Sequence, residues 1–190
     1  MTSNHPYTEA VSAYRPLNEL IPAHWQSGTV RVNDGATIHY TRTGGDKPPL
    51  LLIHGFQVNR LTWARTAIAL ESDYDVIMPD VRGHGKSSPM VDQLQRDQMA
   101  DDVLALVEAL GIGRDLRVIG HSMGADIAGR LATKIDLEGL ILVDPALRNF
   151  PKLLKLDTGE MPSWMEPIID TMKSLKSLPH QQRMIEGLKL

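Results

Sequence analysis

The segment Gly120-His121-Ser122-Met123-Gly124 restricts the fold more than any other stretch of this chain. Before it runs Leu116-Arg117-Val118-Ile119, a mostly apolar, β-branched stretch of strand length. After it, Ala125 to Thr133 is rich in Ala and free of proline. The sequence therefore predicts a strand, a very tight turn and a helix, with a serine at the apex. That is the G-x-S-x-G nucleophile elbow in the context that supports it. A serine at such an apex is held in a strained backbone conformation, and side chains at the two glycine positions would collide with the adjoining strand and helix. The Ser122 hydroxyl then projects clear of the sheet at a helix N-terminus. Unpaired N–H groups and the positive end of the helix dipole favour a developing negative charge there. Two glycines and a serine also meet at this spacing by chance. The strand before and the helix after argue against chance here.

The rest of the chain supplies the sheet that such a turn needs. Thr29-Val30-Arg31-Val32 and Thr37 to Thr43 alternate at period two around Asn33-Asp34-Gly35-Ala36, which predicts a β-hairpin. Leu50-Leu51-Leu52-Ile53 is a continuous apolar run, as expected of a strand buried on both faces of a parallel sheet. A helix is expected over Thr62 to Leu70, then a buried strand at Val76-Ile77-Met78. Met99, Val103, Leu106, Val107 and Leu110 lie along one face of a longer helix, with Gly111 placed as its C-terminal cap. Leu140-Ile141-Leu142-Val143 is a last strand, ending at Asp144-Pro145. From Thr29 the order is β-β-β-α-β-α-β-α-β. This predicts a three-layer α/β/α sandwich with a mostly parallel sheet. Residues 1–28 read as an N-terminal extension with a short helix near Leu17 to Ile21, 29–148 as the core, and 149–190 as the start of a helical cap. In that last part Ser163 and Glu166 form a capping box, followed by Trp164, Ile168, Ile169, Met172 and Leu175 at helical spacing.

Composition excludes several function classes. A net charge of −3 over 190 residues gives no electrostatic footprint for nucleic acid or an anionic membrane. The absence of cysteine removes disulfides, thiol nucleophiles and cysteine-based metal sites. Neither a signal peptide nor a membrane span is visible, so a soluble, cytoplasmic protein is expected. Histidines 39, 54, 84 and 121 sit on different elements without the helix spacing of a zinc site, and no metal or cofactor is expected. Gly85-Lys86-Ser87 matches the end of a phosphate-binding P-loop, but Asp80 stands where that motif needs glycine. The loop is expected to fold around Asp80 and Arg82 as structure.

Three motifs now agree. His54-Gly55-Phe56 follows one buried strand, Asp80-Val81-Arg82-Gly83-His84-Gly85-Lys86-Ser87 the next, and the Ser122 elbow the third. In this order, over roughly Thr29 to Pro145, the chain resembles the α/β-hydrolase fold superfamily, in its serine-nucleophile branch. The resemblance implies that Ser122 is the nucleophile. It implies that the backbone N–H groups of Phe56 and Met123 form an oxyanion hole. It makes His54 a structural brace of the oxyanion loop. Aspartate occupies the nucleophile position in the dehalogenases and epoxide hydrolases of the superfamily. Serine therefore points to acyl chemistry on a small ester, thioester or lactone, through an acyl-enzyme.

The pattern also breaks. The family takes its catalytic histidine from after the last strand, and beyond the elbow this chain has only His180, without the preceding strand the role requires. No histidine in the chain is therefore assigned as the base. Asp144 is a candidate acid, with a structural aspartate in Val-Asp-Pro as the alternative. The expectation is a fold incomplete at its C-terminal edge, catalytically complete only with a missing His/acid segment. Self-association through the uncovered strand 140–143 is expected in consequence. The partner expected besides is a small-molecule substrate. Two other readings stay open: a non-catalytic protein of the same fold that binds a ligand or partner, and the same site running perhydrolase or carbon–carbon bond chemistry.

Overall fold

The structure is a computed structural model and describes residues 19, 21–90 and 95–145. Six strands form one sheet: β1 (Gln26–Arg31), β2 (Thr37–Arg42), β3 (Pro49–Ile53), β4 (Asp75–Pro79), β5 (Arg117–His121) and β6 (Gly139–Val143). Their spatial order is β1-β2-β4-β3-β5-β6. β1 and β2 pair antiparallel, as do β2 and β4, whereas β4, β3, β5 and β6 run parallel. Three helices connect the parallel strands: α1 (Ala64–Leu70), α2 (Arg96–Leu110) and α3 (Met123–Leu131). The predicted element order and fold class hold. The predicted cap helix, His180 and most of residues 1–28, the helix near Leu17 included, lie outside the described residues.

The continuous apolar runs are explained by burial on both faces. Along β3, Leu50 and Leu52 pack with Val76, Met78, Ala64 and Ala67 on the α1 side. Leu51 and Ile53 pack with Val103, Val107, Ile127 and Leu131 on the side of α2 and α3. Each of these side chains contributes roughly 1.5–3 kcal/mol by leaving water. Gly111 closes α2 in the left-handed conformation at φ 64, as its position predicted.

Two boundaries differ from the sequence expectation. β1 begins at Gln26, three residues inside the segment read as an extension, and Trp25 belongs to the core. Gln-Ser-Gly carries little strand propensity, so pairing with Tyr40–Arg42 decides the matter. The helix expected from Thr62 opens instead as a 3-10 turn, Arg60–Trp63. The Asn59 side chain caps it by accepting from the Leu61 N–H at 2.9 Å.

Buried ion pairs tie the hairpin and helices to the sheet. Arg60 donates to the fully buried Asp80 at the end of β4, from its guanidinium at 2.7 Å and its backbone at 2.8 Å. Arg82 donates two bonds of 2.6 Å to Asp102 of α2, and two more, 2.6 and 3.0 Å, to Asp34 in the β1–β2 turn. The Arg82 guanidinium lowers the Asp34 carboxyl to about 2. No helix among the described residues is long and apolar enough to cross a membrane.

Replacing Arg82 by Met strands the carboxylate of Asp102, which is 2% exposed, without its bidentate partner. Urea unfolding is expected to show a loss of about 3–5 kcal/mol. An unchanged midpoint would mean that the pair is energetically idle.

Candidate active site

The loops that follow β3, β4, β5 and β6 emerge at the same edge of the sheet, because these four strands are parallel. Ile53 pairs with Gly120, and His121 with Val143, so the loops after β3, β5 and β6 start side by side. Ligands bind at such strand ends in open α/β sheets.

Ser122 lies between β5 and α3 at φ 51 and ψ −113, a region that L-residues rarely adopt. The two glycines around it have steric causes. A Cβ on Gly120 would stand 2.3 Å from the Gly124 carbonyl oxygen, and one on Gly124 would stand 2.2 Å from the Ile53 carbonyl oxygen. Both obstacles are backbone and cannot step aside. The turn is pinned on its outer side by the Ser122 N–H, which donates to the Val143 carbonyl at 2.9 Å. Met123 is the first residue of α3, so its N–H has no acceptor within the helix. Its side chain is buried in the core, which leaves only the backbone to face a ligand.

Phe56 lies on the loop after β3, 49% exposed. His54, fully buried, braces this loop, as the resemblance implies. Its Nε2 accepts from the Val81 N–H at 3.1 Å, and its Nδ1 therefore carries the proton it donates to the Gly55 carbonyl at 2.7 Å. Burial lowers the His54 pKa to about 4, against a smaller upward push from the Gly55 carbonyl. The neutral imidazole that the two bonds require is thus the stable form at neutral pH.

Asp144 follows β6 at φ 46 and is exposed. It neighbours the elbow through the Val143 carbonyl that holds Ser122. Among the described residues, no hydrogen bond links a histidine to Ser122 or to Asp144, and no cluster of His, Asp or Glu could hold a metal ion. His121 lies against Gly55, where a Cβ would stand 3.0 Å from its Nδ1. An open cavity of about 520 Å³ lies between the loop after β3 and the loop after β4, lined among others by Phe56, Gln57, Val58, His84 and Met90. The sequence reading passed over two parts of this arrangement. Arg60 pairs with Asp80, and His84 bonds to the loop after β3. The signal available was an arginine a few residues past His-Gly-Phe, facing an aspartate at the next strand end.

The family described as alpha/beta hydrolase fold matches residues 48–183. N-formylmaleamate deformylase of Pseudomonas putida is 39% identical over 121 residues, which are 62% of this chain and 44% of that protein. Lipase 3 of a Moraxella species is 41% identical over 101 residues, 52% of this chain and 32% of that protein. The crystal structure of a thermophilic esterase from Thermogutta terrifontis superposes with a TM-score of 0.61 at 28% identity, covering 80% of this chain and 59% of that one. The chain thus spans less than half the length of these two curated relatives.

The His54 site makes stability acid-sensitive in a defined window. An unfolded histidine takes up a proton near pH 6.5, whereas the folded site resists it until about 4. Between those values the unfolded state holds more protons, so acid favours unfolding, by up to about 3 kcal/mol at pH 4. His39 is lowered in the same direction by partial burial. The contribution of His54 is therefore the difference in slope between the parent and His54→Gln in urea titrations from pH 7 to pH 4. Parallel slopes would contradict it.

Proposed function

The chain belongs to the alpha/beta hydrolase fold family, and on that premise we propose that it is a serine hydrolase of small ester-like substrates, with Ser122 as nucleophile. The observation that carries this reading is the backbone of Ser122. A serine at φ 51, wedged between two glycines that admit no Cβ, is strain a fold keeps where it needs a hydroxyl at an apex. Relatives named as a deformylase and a lipase support hydrolysis at an acyl group.

In this reading the Ser122 Oγ attacks the carbonyl carbon of the substrate and gives up its proton to a general base from outside the described residues. The carbonyl oxygen becomes an oxyanion and receives hydrogen bonds from the Phe56 and Met123 backbone N–H groups. Collapse expels the alcohol with the proton from the base and leaves an acyl ester on Ser122. Water, activated by the same base, then releases the acid. Asp144 is proposed as the acid that orients the base. The cavity beside Phe56 is proposed to take one substituent of the substrate, with Phe56, Val58 and Met90 as its apolar wall. The missing bond from any described histidine to Ser122 favours one other reading, a ligand-binding protein that retains the elbow without turnover.

One experiment separates the two. A fluorophosphonate is expected to label the protein at Ser122, and Ser122→Ala is expected to lose labelling and to lower p-nitrophenyl acetate turnover by at least about a thousandfold while keeping the melting temperature. Turnover that survives the substitution would exclude Ser122 as nucleophile. A full-length protein that neither labels nor turns over would favour the binding reading.

Self-association is proposed through β6. No described strand pairs with its outer edge, and Leu140, Ile141 and Val143 are exposed. Sedimentation velocity is expected to show mass that rises with concentration, and a monomer at all concentrations would rule it out.

A further inference from the structure

The oxyanion loop and the loop after β4 are held together by two imidazoles, one from each side. His54, on the first loop, accepts from the Val81 N–H of the second. His84, on the second loop, accepts through Nε2 from the Gln57 N–H of the first at 3.3 Å. Because its Nε2 accepts, the His84 proton is on Nδ1, which donates to the Arg82 carbonyl at 3.1 Å. The His84 ring also meets His54 and Phe56 edge-on, with centroids 5.2 and 5.7 Å away.

These bonds act on the two peptide planes that flank Phe56. The plane between Gly55 and Phe56 carries the Gly55 carbonyl, which His54 fixes, and on its opposite side the Phe56 N–H. A trans peptide is rigid, so fixing the carbonyl aims that N–H away from His54. The next plane, between Phe56 and Gln57, carries the N–H that His84 fixes. Gln57 itself stands at φ 62, a conformation a glutamine leaves unless its surroundings hold it. One hydrogen bond at the Gly55 carbonyl leaves the first plane free to turn about that contact, so relaxation of the loop at Gln57 would carry the Phe56 N–H with it.

We propose that His84 is a positioning residue for the oxyanion hole: by accepting the Gln57 N–H it holds the second plane and keeps the Phe56 N–H on target. This rests on the serine-hydrolase reading above. His84 is not a candidate for the general base, since both of its ring nitrogens are engaged within these loops.

The test compares His84→Phe, which keeps a flat ring but no acceptor, with His84→Gln, which returns an acceptor near the Nε2 position. In the parent protein the Gln57 amide is expected to be protected from hydrogen exchange. His84→Phe is expected to speed its exchange at least tenfold, to lower kcat on p-nitrophenyl acetate by roughly tenfold, and to leave KM within about twofold, since a donor that strengthens its bond only in the transition state acts on kcat. His84→Gln is expected to recover kcat to within about threefold of the parent. If His84→Phe does not melt cooperatively, His84→Ala takes its place. Unchanged Gln57 exchange, an equal kcat loss in both variants, or a loss confined to KM would each overturn the proposal. A Ser122→Ala protein that still turns over substrate identifies the serine-hydrolase reading as the failure, because the exchange result stands apart from it.

Discussion

The first turn of α3 lies against the end of β3 with no space for a methyl group between them. A Cβ on Gly124 would fall 2.2 Å from the Ile53 carbonyl oxygen and 2.6 Å from that of His54. A Cβ on Gly120 would stand 2.3 Å from the Gly124 carbonyl oxygen in the same helical turn. This contact fixes where the helix starts relative to the sheet. It thereby fixes the direction of the Ser122 hydroxyl, the position of the Met123 N–H and the distance at which the loop after β3 can pass. Close packing leaves these groups no independent adjustment.

Around that contact the buried charges are organised in pairs. Arg60 satisfies Asp80, Arg82 satisfies Asp102 and Asp34, and Arg96 meets Asp126 of α3 at 2.8 Å. A buried charge without its partner is costly. These pairs therefore specify which loop meets which helix more than they add net stability. The two loop histidines follow the same rule. Each uses one nitrogen as acceptor and one as donor, so a rigid ring serves as a two-ended strut between backbones. His84 accepts from the amide of Gln57, a residue held at φ 62.

Much of the fold was readable because its signals are local. The apolar run Leu50–Ile53, the turn chemistry of Asn33–Ala36 and the cap at Gly111 each act within a few residues. The elements they predict are present. The start of β1 was not readable, because Gln26, Ser27 and Gly28 become strand only through pairing with β2. The helix start expected at Thr62 moves because the Asn59 cap and the Arg60–Asp80 pair tighten the preceding turn, and Asp80 lies 20 residues further along. The resemblance implies His54 as a brace. No local signal marks His84, because its partner, the Gln57 amide, lies on another loop 27 residues away.

The sequence alone determined the succession of strands and helices, the two-sided burial of β3 and β4, and the need for glycine on both sides of Ser122. Hydrophobic period and backbone sterics act between neighbours in the chain and are written there residue by residue. Only the tertiary structure decided that β3 lies between β4 and β5, and that His54 and His84 each brace the other's loop. It likewise decided that Arg82 joins α2 to the β1–β2 turn. Those outcomes depend on distances between segments 20 to 67 residues apart, which exist only once the sheet has set its order.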